Sequence, residues 1–112
     1  MDDERARRVG QNEAVFREIN EQVDAINRGL AEITDNRMHI VCECADLICV
    51  ERVVVTVPKY EEIRSDPTLF FIVPGHDKPA YEDVVEQTDA FHVVRKRAGE
   101  PTRVAEETDP RS

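Results

Sequence analysis

Between Gln11 and Asp35 the apolar residues Phe16, Ile19, Val23, Ile26, Leu30 and Ile33 recur at alternating steps of three and four. That spacing predicts an amphipathic helix over 11–35 with a heptad stripe: Phe16, Val23 and Leu30 on one seam row, Ile19, Ile26 and Ile33 on the other. Asn12 suits the N-cap. Glu13 with Arg17 and Asp24 with Arg28 are i,i+4 pairs expected on the outer surface. Gly29 weakens a helix by about 1 kcal/mol relative to Ala, so the stripe needs a cover. Two covers fit: the sheet of the same domain, or coiled-coil pairing with a second copy or another protein along the narrow seam.

After Asp35-Asn36 the period switches from helical to two. Met38, Ile40, Cys42 and Cys44 alternate with His39, Val41 and Glu43, which predicts a strand. Glu51 to Val57 (ERVVVTV) is β-branched and predicts a second strand, antiparallel to the first. Pro58 opens a short helix through Ser65, and Leu69 to Val73 (LFFIV) reads as a third strand closed by Pro74-Gly75. Ala80 to Gln87 is expected to be a short helix and Phe91 to Arg95 a fourth strand. The fold class expected is therefore α+β: a long N-terminal amphipathic helix, then a small, mostly antiparallel sheet with one or two short helices. The expected divisions are a flexible charged start (1–10), the helix (11–35), a small α+β domain (36–97) and a flexible acidic tail (98–112).

Composition adds a constraint. The chain has 112 residues, 40% apolar but only 5% aromatic and with no Trp, so its core is small, aliphatic and in need of an extra tie. With 24 Asp+Glu against 15 Lys+Arg, its net charge is -9, which counts against binding to a phosphate backbone. The one short basic cluster, Arg95-Lys96-Arg97, reads as a solubility patch at a strand end. No apolar run reaches the ~18 residues of a membrane span. No charged start leads into an apolar signal region either. A cytoplasmic protein without a membrane partner is the expectation. P-loop, G-x-G-x-x-G and G-x-S-x-G motifs are missing from the sequence.

The tie is suggested by the thiols. Cys42, Cys44 and Cys49 fall within eight residues, an odd count that suits a reducing compartment better than a disulfide framework. Zinc takes four N or S ligands in a tetrahedron. Cys42 and Cys44 share a strand face, a bend after Cys44 can return Cys49, and His76 follows the Pro74-Gly75 turn. The candidate metal ligands are thus Cys42, Cys44, Cys49 and His76, with structural zinc as the cofactor. Asp46 or Glu43 is an alternative fourth ligand; His39 and His92 are weaker ones. Free cysteines are also common core residues, but three so close together exceed what packing requires. An iron–sulfur cluster is disfavoured because it usually takes four thiolates.

The segment from Asn12 to Arg97 resembles a family of small actinobacterial proteins. The shared features are NEAVFREINEQV, then IVCECADLICVERVVVTVPKYEEIRSDPTLFFIVPGH, then a closing VVRK strand and an acidic tail. The resemblance implies a cytoplasmic bacterial protein and treats the CxC-x4-C and PGH residues as one constellation; it carries no activity with it. In that family a Gly often follows the second Cys, where this chain has Ala45. The function expected is a non-enzymatic, zinc-stabilised protein-interaction module. Its surface would be the stripe Phe16, Ile19, Val23, Ile26, Leu30 and Ile33, engaging another protein or a second copy. The alternatives are a DNA-associated regulator with a structural zinc site, or a small thiol- or metal-dependent enzyme.

Overall fold

A computed structural model describes residues 3–29 and 35–111. Helix α1 (Asp3–Arg28) is followed by strands β1 (Arg37–Val41) and β2 (Arg52–Thr56) and helix α2 (Val57–Arg64). Strands β3 (Leu69–Ile72), β4 (Glu82–Gln87) and β5 (His92–Lys96) and helix α3 (Glu100–Glu107) complete the chain. The expected α+β class holds. β1 and β2 form an antiparallel pair, with Ile40 opposite Val53 and Met38 opposite Val55. The other sheet runs β3-β5-β4, antiparallel throughout.

The core lies on both sides of β3. All four of its residues are buried. Phe71 faces a cluster with Met38, Ile40, Val53, Val55, Tyr60 and Val93, whereas Phe70 and Ile72 face a second one with Cys42, Cys44, Val94 and Ala105. Tyr60 stacks on Phe71 with ring centroids 5.8 Å apart, and Phe91 meets the same ring edge-on at 5.3 Å. Thr56 caps α2 by accepting a 3.2 Å hydrogen bond from the Lys59 N–H, a contact worth about 1 kcal/mol.

The two ends of the chain depart from expectation together. The start is helical from Asp3 rather than flexible to residue 10, and the tail contains α3. Each covers the other. Ala6 and Gly10 of α1 and Val104 and Ala105 of α3 are all buried. A Cβ on Gly10 would lie 2.8 Å from Val104 Cγ1, so the helices meet where α1 has no side chain. The charged composition of both segments hid this small-residue contact.

The face by which α1 packs is a second correction. Ala6, Gly10, Glu13, Arg17, Asn20 and Asp24 form the buried stripe, which places Glu13, Arg17 and Asp24 inside rather than on the outer surface, with Glu13 paired to Lys96 instead of Arg17. Phe16 and Val23 are half-buried on its flank, while Ile19 and Ile26 are exposed. Leu30 and Ile33 lie outside the described residues. Asn12 is not an N-cap but sits within α1, its side chain donating to Ala45 O at 3.3 Å. Asp35 and Asn36 are in a left-handed turn (φ 57° and 62°), so the helix does not run to Asp35.

The polar stripe is held by hydrogen bonds to backbone carbonyls and by ion pairs. The Arg17 guanidinium donates to the carbonyls of Pro67 (2.7 Å) and Ala105 (2.9 Å) and lies over the Phe70 ring. Lys96 pairs with both Glu13 and Glu82. The segment expected as a helix over 80–87 is instead β4. Its register shifts between Val84 and Glu86, leaving Val85 exposed and breaking the alternation that marks a strand.

Candidate metal centre

Regular β1 pairing ends at Val41, and residues 42–51 carry all three cysteines before β2 begins. Backbone bonding continues past the strand. Cys42 N–H donates to Glu51 O at 3.1 Å, and Glu43 N–H donates across to Phe71 O at 2.9 Å. The extended segment thus passes from β2 to β3, which brings the cysteines beside the turn that follows β3. Its period of two sends Cys42 and Cys44 to one side and Glu43 to the other.

Glu43 is fully buried, and both of its oxygens are occupied. Oε2 accepts from Arg64 at 2.5 Å and from Asn20 at 2.7 Å, and Oε1 accepts from the Phe71 N–H at 2.9 Å. Burial works against the Arg64 charge, but the Glu43 carboxylate and Tyr60 together outweigh it, and the guanidinium pKa is raised. Asn20 also donates to Val41 O and accepts from Val41 N–H, both at 2.8 Å, serving the strand edge as a neighbouring backbone would. Glu43 is therefore an anchor of the Cys-x-Cys segment and not a fourth ligand. The clue in the sequence was its place between two same-face cysteines; nothing local names Arg64 or Asn20 as its partners.

The chain reverses at Ala45, whose φ of 69° is left-handed. The turn favoured by Gly is made here by Ala, at a cost of roughly 1–2 kcal/mol. Asp46 then shapes the loop: its side chain accepts from Ile48 N–H at 3.1 Å, and its carbonyl accepts from Cys49 N–H at 3.0 Å. Asp46 is thus a loop former and lies outside the donor cluster. On the other side, Gly75 turns with φ 90°, and His76 N–H donates to Val73 O at 3.0 Å, which sets the imidazole over the thiols.

The structure brings together the four residues singled out in the sequence. The donor atoms of Cys42, Cys44, Cys49 and His76 all lie within 4.8 Å of one another and could hold a metal ion. His76 Nδ1 is 3.5 Å from Cys42 Sγ and 3.8 Å from Cys49 Sγ. A tetrahedral ion with ~2.3 Å bonds to sulfur and ~2.0 Å to nitrogen needs edges of about 3.5–3.8 Å, and the two edges from His76 to Cys42 and Cys49 are of that size. Val73 N–H donates to Cys42 Sγ at 3.2 Å, supporting a thiolate there. The second imidazole nitrogen, Nε2, lies 3.1 Å from Glu51 Oε2. His39 and His92 do not join the cluster: His39 is exposed on β1 and His92 is half-buried on β5.

Burial pushes the Cys42 and Cys44 thiols above the ordinary thiol range. A coordinated cation acts in the opposite sense, because a ligating thiol is deprotonated outright. An open groove of about 260 Å³ borders the cluster, lined by Cys44, Asp46, Gly75, His76, Asp77 and Lys78. Beside it the loop around the third cysteine exposes Leu47 (67%), Ile48 (85%) and Val50 (82%). Among the described residues no helix is long and apolar enough to cross a membrane. No family model, curated protein or solved structure matches the chain.

Proposed function

We propose that this chain is a non-enzymatic, zinc-stabilised interaction module of a reducing compartment such as the cytoplasm. The observation that carries the proposal is the set of four donors, three sulfurs and one nitrogen, all within 4.8 Å of one another. Such a set is typical of structural zinc and leaves no open position for water or substrate. An iron–sulfur cluster is a poorer fit, since it holds several irons and commonly four thiolates.

The interaction surface in this proposal is apolar and displayed in two places. The thiol loop presents Leu47, Ile48 and Val50; α1 presents Val15, Ile19 and Ile26, which its packing leaves exposed. The Ile19 and Ile26 row belongs to the seam expected to pair with a second copy or another protein. Light scattering on the metal-loaded protein tests this self-association, with a dimer mass expected that falls to monomer in the Ile19→Glu, Ile26→Glu double variant. A monomer at ~100 μM, well above the micromolar range where an interface of standard size associates, would remove the self-pairing part.

A further inference from the structure

We propose that Glu51 is the positioning residue of the metal centre, orienting His76 from the face opposite the thiols. The inference rests on the metal reading above and deepens it. An imidazole has two nitrogens, and it binds an ion well only when its ring plane and tautomer are already fixed. Here Nδ1 is turned to Cys42 and Cys49 at 3.5 and 3.8 Å, and Nε2 is turned to Glu51 Oε2 at 3.1 Å. That arrangement is the carboxylate–histidine–metal relay: the carboxylate accepts the Nε2 proton, leaves the Nδ1 lone pair free, and makes the ring a better donor.

The backbone of Glu51 strengthens the assignment. Its carbonyl accepts from Cys42 N–H at 3.1 Å, so one residue is hydrogen-bonded to two of the four donor residues, one by main chain and one by side chain. It also lies two residues beyond Cys49 and immediately before β2, where strand pairing fixes its direction. The carboxylate is not recruited for packing, since its side chain is 57% exposed. His76 itself follows the Pro74-Gly75 turn, with nothing within 4 Å of where a Gly75 Cβ would be. A ring on so open a turn needs an external hold, and Glu51 supplies it.

The test compares wild type, Glu51→Ala, Glu51→Gln and Asp77→Ala in competition with a chromophoric chelator for zinc, together with the visible spectrum of each cobalt-loaded protein. Glu51→Ala is expected to weaken zinc binding about 10- to 100-fold and to shift the cobalt bands. Glu51→Gln keeps an acceptor at the same reach and should recover part of the loss. Asp77→Ala removes a carboxylate of the groove beside the cluster and should change affinity less than about threefold; an equal loss there would make Glu51 a mere local charge and overturn the assignment. The metal-free proteins should melt alike, because a purely structural role would appear there. Glu51→Ala binding within twofold of wild type, with an unchanged cobalt spectrum, overturns the positioning role while leaving the metal centre intact. A wild type that takes up neither zinc nor cobalt overturns both.

Discussion

Two polar clusters are buried in this chain, and they are neutralised in different ways. At the cysteine end the donors are three thiols and an imidazole, and the groups that contact them are backbone N–H and the Glu51 carboxylate. Beneath α1, by contrast, charges of both signs are supplied from within: Arg64 on Glu43, and Lys96 between Glu13 and Glu82. A buried ion pair that is complete within the chain organises the fold whether or not a ligand is bound. On the proposed reading the thiol cage holds a cation, and its contribution to stability then depends on supply. Glu43 connects the two, since it belongs to the inner network yet lies between the first two cysteines.

Removing the ion is the largest perturbation and acts on one cluster alone. Loss of the metal to a chelator, or through Cys44→Ser, is expected to lower the melting temperature by about 10 °C or more, as several kcal/mol of linked binding energy disappear. The chelator should then have no further effect on the Cys44→Ser protein. Glu43→Ala breaks the inner network instead, leaving the Arg64 guanidinium buried and unpaired at a cost of about 3–5 kcal/mol. Urea melts should show that loss with and without metal, which distinguishes it from the cysteine variant. In a Glu43→Leu, Arg64→Met double variant much of the loss should return.

A smaller effect tests the Lys96 site. Glu13 faces Lys96 of β5 and Glu82 of β4, with Arg17 one turn along its own helix. Burial outweighs the Lys96 ammonium and pushes the Glu13 carboxyl up from 4.5 to about 8. Two carboxylates about one ammonium then retain a proton. Between those two values the folded state holds a proton that the unfolded chain has released, so this group's contribution to stability falls as pH rises through the window. Glu13→Gln should flatten that slope in urea melts taken at about pH 5 and about pH 8. The smallest expected change is at the helix contact. Gly10→Ala gains about 1 kcal/mol of helix propensity, but its Cβ meets Val104 at 2.8 Å. A net loss of about 1 kcal/mol by thermal melt is expected, in the range for mild overpacking.

Much of the candidate site was legible in the sequence because its signal is local. Cys42 and Cys44 share a face by the period of two, and His76 follows the turn that Pro74-Gly75 announces, whereas the reversal at Ala45 that returns Cys49 has no Gly to mark it. The strands from Met38, Arg52, Leu69 and His92 were legible for the same reason. The bulge at Val85 removed that regularity, and β4 read as a helix. The α1 burial face was hidden for a deeper reason. Apolar periodicity marks Phe16, Ile19, Val23 and Ile26, whereas the helix turns Glu13, Arg17, Asn20 and Asp24 inward. Their burial depends on distant partners such as Lys96, Val41 O and Ala105 O. The role of Glu43 is non-local too, since its partners Arg64 and Asn20 lie 21 and 23 residues away in the chain.

The most direct test of the metal centre is elemental analysis of the full chain purified without added metal or chelator. About one equivalent of zinc per chain is expected, as for a closed four-ligand site, with loss of that zinc in Cys42→Ser. Less than about a tenth of an equivalent of any transition metal, together with unchanged stability of Cys42→Ser, would contradict a resident ion of this kind.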